Sequence, residues 1–175
     1  YGAGVKPIDP CARIIFQELI GSYLREGKRV IIPAFVLDRT QQVLFELTQG
    51  METGLIPAQT QIWVIGYSVA KLNRIYGELF TQEKYAPYFS AQYQEKGPFG
   101  SVFTERDSIE KKQIRHGEIA IVSTGMADAS YANEFVKEWH QDPKTVFAFV
   151  GYQAPNTPGG QLIDTGELTI EGVPR

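Results

Sequence analysis

Apolar residues along this chain fall into two patterns. Unbroken runs of strand length alternate with longer stretches in which apolar residues return every third or fourth position. The first kind reads as strands buried on both faces, and the second as amphipathic helices lying on them. Lys28 to Pro33, Gln61 to Ile65, Glu118 to Thr124 and Thr145 to Val150 are the strong strand candidates, and Ser101 to Thr104 is a shorter one. A helix is expected from Asp9-Pro10, a capping residue followed by a proline suited to the first turn, with Ala12, Ile15, Phe16, Leu19, Ile20 and Tyr23 inward and Gly27 as its stop. Asp38 followed by Gln41 has the form of a capping box ahead of Val43, Leu44 and Leu47. Further stripes are Val69, Leu72, Tyr76, Leu79 and Phe80, and later Ala132, Phe135, Val136 and Trp139. Ser108 to Ile114 reads as a charged helix and Leu168 to Glu171 as a polar edge strand. Strand, turn and helix in this alternation predict an α/β fold of three layers, a mostly parallel sheet with helices on both faces, joined by right-handed crossovers.

Two stretches stand outside that rhythm. Residues 82–100 scatter Tyr85, Tyr88, Phe89, Tyr93 and Phe99 among polar residues, a mixture that either stacks on bases or packs the excursion onto its own domain. Gly151 to Gly160 holds two prolines and three glycines and reads as a loop beyond the carboxyl end of a strand, where α/β sheets bind ligands. The alternative there is a plain surface connection.

Composition narrows the classes. At 175 residues the chain is one domain's worth, and 43% hydrophobic residues suffice for a proper core. A net charge of −3 argues against binding nucleic acid by bulk charge, although a local basic site is compatible with it. The single cysteine, Cys11, rules out an internal disulfide and fits a reducing, cytoplasmic setting. His116 and His140 stand far apart and read as helix-end residues rather than ligands. No apolar run has the length to span a bilayer. The beginning at Tyr1-Gly2 and the end at Gly172 to Arg175 read as cuts, so residues 1–175 are expected to be a single domain taken from a larger protein.

Three stretches in order carry a resemblance: Ile31 to Phe35 with Asp38 to Gln42, then Val122 to Met126, then Asp142 to Lys144 running to Gly151 to Ala154 and Thr157 to Gly159. Together they resemble the Rossmann-like β-CASP domain of metallo-β-lactamase-fold nucleases, the family of the cleavage and polyadenylation specificity factor nuclease. The resemblance implies a substrate-clamping role in a ribonuclease of RNA processing or decay. It implies two zinc ions in the parent protein, held by residues outside this chain, and neither catalytic nor metal-ligating residues within it. The partners it implies are the metallo-β-lactamase domain of the same chain and single-stranded RNA. Substrate-binding positions follow by matching. Arg39 either grips phosphate or pairs with a carboxylate of the neighbouring domain. Ser123, Thr124 and Gly125 head a helix and either bind an anion at its free amides or form a plain capped turn. Gln153 and Thr157 match the loop motif. Departures from the pattern are Asp38 and Asn156 where glycine is common, Gly66 to Ser68 where Asp-Ser-Pro is common, Asp128 to Ser130 where glycines are common, and Gly160 where arginine is common. They leave open a catalytically degenerate scaffold, or a metallohydrolase with another substrate. A free-standing nucleotide-binding domain is the competing class, though the chain has no Gly-x-Gly-x-x-Gly or Walker loop.

Overall fold

The computed structural model describes residues 10–66, 68–81, 103–106 and 113–166. Its elements are α1 (Pro10–Arg25), β1 (Arg29–Pro33), α2 (Arg39–Glu52), β2 (Ile62–Ile65), α3 (Val69–Thr81), β3 (Phe103–Arg106), β4 (Ile119–Val122), α4 (Ser130–Trp139), β5 (Thr145–Phe147) and α5 (Pro158–Thr165). Among the described residues the five strands form one parallel sheet in the order β3-β2-β4-β1-β5. The expected three-layer parallel α/β fold is therefore the one observed. The aromatic excursion at 82–100, nearly all of the expected helix at 108–114 and the edge strand at 168–171 lie outside the described residues.

Strand periodicity sorts the core into two faces. Val30, Ile32, Ile62, Val64, Ile119 and Ile121 point to one side, where Ile20 and Leu24 of α1 and Val43, Leu44, Leu47 and Met51 of α2 cover them. Ile31, Ile65, Ala120 and Val122 point to the other, against Ala132, Phe135, Val136 and Trp139. Those four α4 residues are the stripe expected from the sequence, at spacings of three, four and seven. Each fully buried isoleucine contributes roughly 1.5–3 kcal/mol, so the central strands β1, β2 and β4 anchor the domain. No described helix is long and apolar enough to cross a membrane.

Four local expectations are corrected. Thr145 to Val150 is not a strand buried on both faces: β5 covers only Thr145–Phe147, lies at the sheet edge against β1 alone, and is half-buried throughout. Strand order is a long-range property that an apolar run does not encode. On α1 the inward face is Gln17, Ile20, Gly21 and Leu24, while Ile15 and Leu19 are 54% and 50% exposed. The reason is Gly21, where the helix comes so close to the Leu55 carbonyl that no side chain fits between them. Asp38 and Gln41 make no capping box, because Asp38 has no side-chain cap bond and Gln41 is buried. Finally, Pro158 to Thr165 is helical, where loop and tail were expected. Thr157 caps it by accepting from the Gly160 amide at 3.2 Å, and Pro158 occupies the first turn.

At the amino ends of the strands, Arg29 is 7% exposed and fully engaged. Its guanidinium donates to Thr145 Oγ1 at 3.1 Å, Ile114 O at 2.8 Å, Asp142 Oδ2 at 3.0 Å and His116 Nε2 at 3.2 Å, and it stacks 3.8 Å from the Trp139 ring centre. His116 thus accepts from a buried arginine, and the helix it was expected to end lies almost wholly outside the described residues. His140 does end its helix as expected, with its ring Nδ1 3.1 Å from Val136 O.

Candidate functional site

The carboxyl ends of β1, β4 and β5 open into three loops, and Gly125 is where they meet. A Cβ on Gly125 would lie 2.9 Å from the Phe35 ring and 3.2 Å from the Phe35 amide, so only glycine lets the loop after β1 pack this close. From the other side, Gln153 Nε2 donates to Gly125 O at 2.8 Å and to Gly151 O at 3.2 Å. The Gly159 amide donates to Met126 O at 3.2 Å. Gln153 Oε1 is buried without a partner, held against the α-carbon of Gly159. Neighbouring aromatics remain outward: Phe35 is 48% exposed and Tyr152 75%.

Of the six positions singled out in the sequence, Gly125, Gln153 and Thr157 come together in this knot. Thr157 contributes from within, as the cap of α5, with its hydroxyl donating to Ala154 O at 2.7 Å. Ser123 and Thr124 border the knot but do not head a helix, because α4 begins only at Ser130. They enter a loop in which the Thr124 hydroxyl donates to Asp128 Oδ1 and the Ser123 carbonyl accepts from the Ala132 amide. The expected cluster of free helix amides at 123–125 is absent, and the nearest hydroxyl is occupied by a carboxylate. The sequence missed this because seven loop residues separate the strand from the helix, and Ala127 in that loop and Ser130 at the helix's first position hold positive φ without being glycine.

Arg39 lies apart from the knot. It opens α2, bonds Gln42 Oε1 at 3.0 Å, and makes no ion pair among the described residues. It lines a cavity of about 380 Å³ on the α1 and α2 side of the sheet, together with Phe16, Asp38, Gln41, Tyr76 and Val150. Sequence reasoning did not find this cavity. The available signal was Gln41 itself, a polar residue in register with Leu44, Thr48 and Met51 on the buried face of α2. Burial, and then the neighbouring Asp38 carboxylate, raise the Tyr76 hydroxyl above the ordinary tyrosine value, so it stays a hydrogen-bond donor at neutral pH.

Among the described residues no three His, Cys, Asp or Glu side chains are grouped to hold a metal, and both histidines are committed elsewhere. What the described rim offers is backbone, hydroxyl, amide and aromatic groups, with the Asp128 carboxylate beside them.

The β-CASP domain family matches residues 40–162. Transcription termination factor FttA of Methanosarcina mazei is 26% identical over 153 residues, covering 83% of this chain and 23% of its own. The probable RNase MJ4 of Methanocaldococcus jannaschii is 26% identical over 174 residues, covering 97% of this chain and 38% of its own. Ribonuclease TTHA0252 of Thermus thermophilus is 26% identical over 154 residues, covering 85% and 35%. The chain thus spans about a quarter to two-fifths of the length of these relatives. With the family model spanning well over half of its length and a parallel α/β sheet as expected, this chain belongs to the β-CASP domain family.

Proposed function

We propose that this domain clamps single-stranded RNA for a zinc-dependent ribonuclease active in RNA processing or decay, in the cytoplasm. The metal and the reacting groups belong, in this reading, to a metallo-β-lactamase domain of the same protein. The observation that carries it is the joint at Gly125, which fixes three loops into one rim with Phe35 and Tyr152 outward. Fixed loops on a rigid sheet orient a flexible strand at low entropic cost. Zinc supplies an activated water when bound. The domain's own residues hold and align the strand: Arg39 by charge, Phe35 and Tyr152 by stacking, and the amides and hydroxyls of the Gln153 to Thr157 loop by hydrogen bonds. The names of the relatives, two ribonucleases and a termination factor, support the same substrate class.

A second reading, a catalytically inert scaffold in an RNA-processing assembly, draws on one observation. Asp128 takes up the Thr124 hydroxyl and Asp38 sits beside Arg39, so carboxylates stand at two places where a polyanion would approach. Cleavage of end-labelled single-stranded RNA by the intact protein, with and without a chelator, separates the two. Cutting that the chelator abolishes supports the nuclease. A folded, zinc-loaded protein that binds RNA and leaves it whole supports the scaffold.

A further inference from the structure

The cavity beside Arg39 contains two polar groups whose placement packing does not explain. Gln41 is 2% exposed; its Nε2 donates to Val36 O at 3.1 Å and Asn73 Oδ1 at 2.9 Å, while its Oε1 has no partner among the described residues. Asp38 holds φ 67° and ψ −55°, closing a three-residue turn in which the Arg39 amide donates to Leu37 O at 2.8 Å. That conformation is strained for any residue with a Cβ, and glycine would adopt it more easily. The strain sets the Asp38 carboxylate at the cavity, where it accepts from Gln42 Nε2 at 2.8 Å and from the Tyr76 hydroxyl at a long 3.4 Å. A carboxylate has about four acceptor positions, so capacity remains. The rest of the wall is mostly apolar, including Phe16 and Val150, and the volume falls in the range of small-ligand sites.

Arg13 and Glu46, also on the wall, satisfy each other as an ion pair at 3.3 Å, which leaves an apolar slot with the Asp38 carboxylate and the Arg39 guanidinium, and such a slot selects a flat ring that carries adjacent donors. Of the four RNA bases, guanine alone presents two neighbouring N–H groups, N1–H and the N2 amine, on its pairing edge, and its O6 is a preferred arginine acceptor. We infer that this cavity takes one unpaired guanine of the RNA strand, its two N–H groups read by the two oxygens of the Asp38 carboxylate, with Arg39 at its edge. The inference rests on the RNA-clamping function proposed above. It makes Asp38 a specificity residue, which explains why an acid stands next to a phosphate-binding arginine.

The test is fluorescence anisotropy of the intact protein with non-cleavable 2′-O-methyl oligomers: adenine throughout, one central guanine, and one central inosine, which lacks the N2 amine. The guanine oligomer should bind about tenfold tighter than the adenine one, and inosine should lose most of that gain. In Asp38→Asn, whose side chain tolerates positive φ, the guanine-to-adenine ratio should fall towards one while the thermal transition stays in place. Equal binding of all three oligomers, or an undiminished ratio in Asp38→Asn, overturns guanine reading while leaving the clamp intact. Failure to bind any oligomer removes the clamp itself and this inference with it. A guanosine monophosphate titration forms the last arm: competition at oligomer-like concentrations would reassign the cavity to a free nucleotide and overturn the strand-bound form.

Discussion

Adding one methyl group at two glycines should move stability in opposite directions. Gly160 lies in the first turn of α5, where a Cβ would stand 2.1 Å from Ala154 O, 2.8 Å from its carbonyl carbon and 3.0 Å from Pro155 Cα. All three are backbone atoms, so no rotamer can relieve the contact. The first falls about 1.4 Å inside the ~3.5 Å at which such atoms meet comfortably. Either α5 or the loop at 151–157 must shift, which overpacking data put at about 1–3 kcal/mol, against a helix-propensity gain of up to ~1 kcal/mol. Gly160→Ala should therefore lose about 1–2 kcal/mol, or about 2–8 °C of melting temperature at this chain length. Gly77, inside α3, has nothing within 4 Å of where an added methyl would sit, so Gly77→Ala should gain about 0.5–1 kcal/mol. Urea and thermal denaturation of both variants measure this directly. If Gly160→Ala proves as stable as Gly77→Ala, the contact between α5 and the rim loop is wrong and so is the knot built on it. The same crowding bears on the proposed clamp, because an arginine at this position would have no room without rebuilding the rim.

Three other perturbations test separate parts of the structure. Arg29→Met removes a buried guanidinium from four acceptors and should cost about 3 kcal/mol in urea unfolding, whereas a loss under about 1 kcal/mol would mean that the cluster is dispensable. The hydrogen bonds from the Thr145 hydroxyl and the Lys144 amide, with help from Arg29, hold Asp142 at about 2 against an ordinary 3.8. The folded value is the lower one, so its contribution is fully present above the unfolded value and is lost as pH falls through about 2. The stability gap between wild type and Asp142→Asn should be flat above about pH 5 and narrow below about pH 4; a gap that ignores pH refutes the assignment. In the intact protein, Arg39→Ala should weaken RNA binding and reduce the salt slope by about one phosphate. An unchanged slope would place Arg39 off the strand.

The sequence carried the layers better than the site. Val30 to Ile32 and Ile119 to Val122 read correctly because continuous burial leaves an unbroken apolar run, and α4 because a single stripe admits one orientation. α1 offered two overlapping stripes, and the deciding feature was Gly21, whose meaning depends on Leu55 more than thirty residues on. Buried polar residues were the larger loss: Gln41 read as a capping residue, and nothing local marked Gln17 or Arg29 for its partners, since polarity alone does not report a waiting partner. At the rim, Gly125, Gln153 and Thr157 were found by resemblance, but their mutual contacts depend on which strands lie side by side, and no local pattern contains that.

The place of β1 in the sheet also constrains how the domain comes to be made. Its neighbours are β4 and β5, and Arg29 meets Thr145, 116 positions further along the chain. Parallel pairing between such distant segments must close long loops before any contact rewards it, so folding is slow and late. A nascent chain that has emerged only as far as β2 has the inner strand β1 written but neither of that strand's partners. Until residues near 145 leave the ribosome, β1 keeps an exposed, largely apolar edge, and it is over this interval that chaperone protection matters most for the protein.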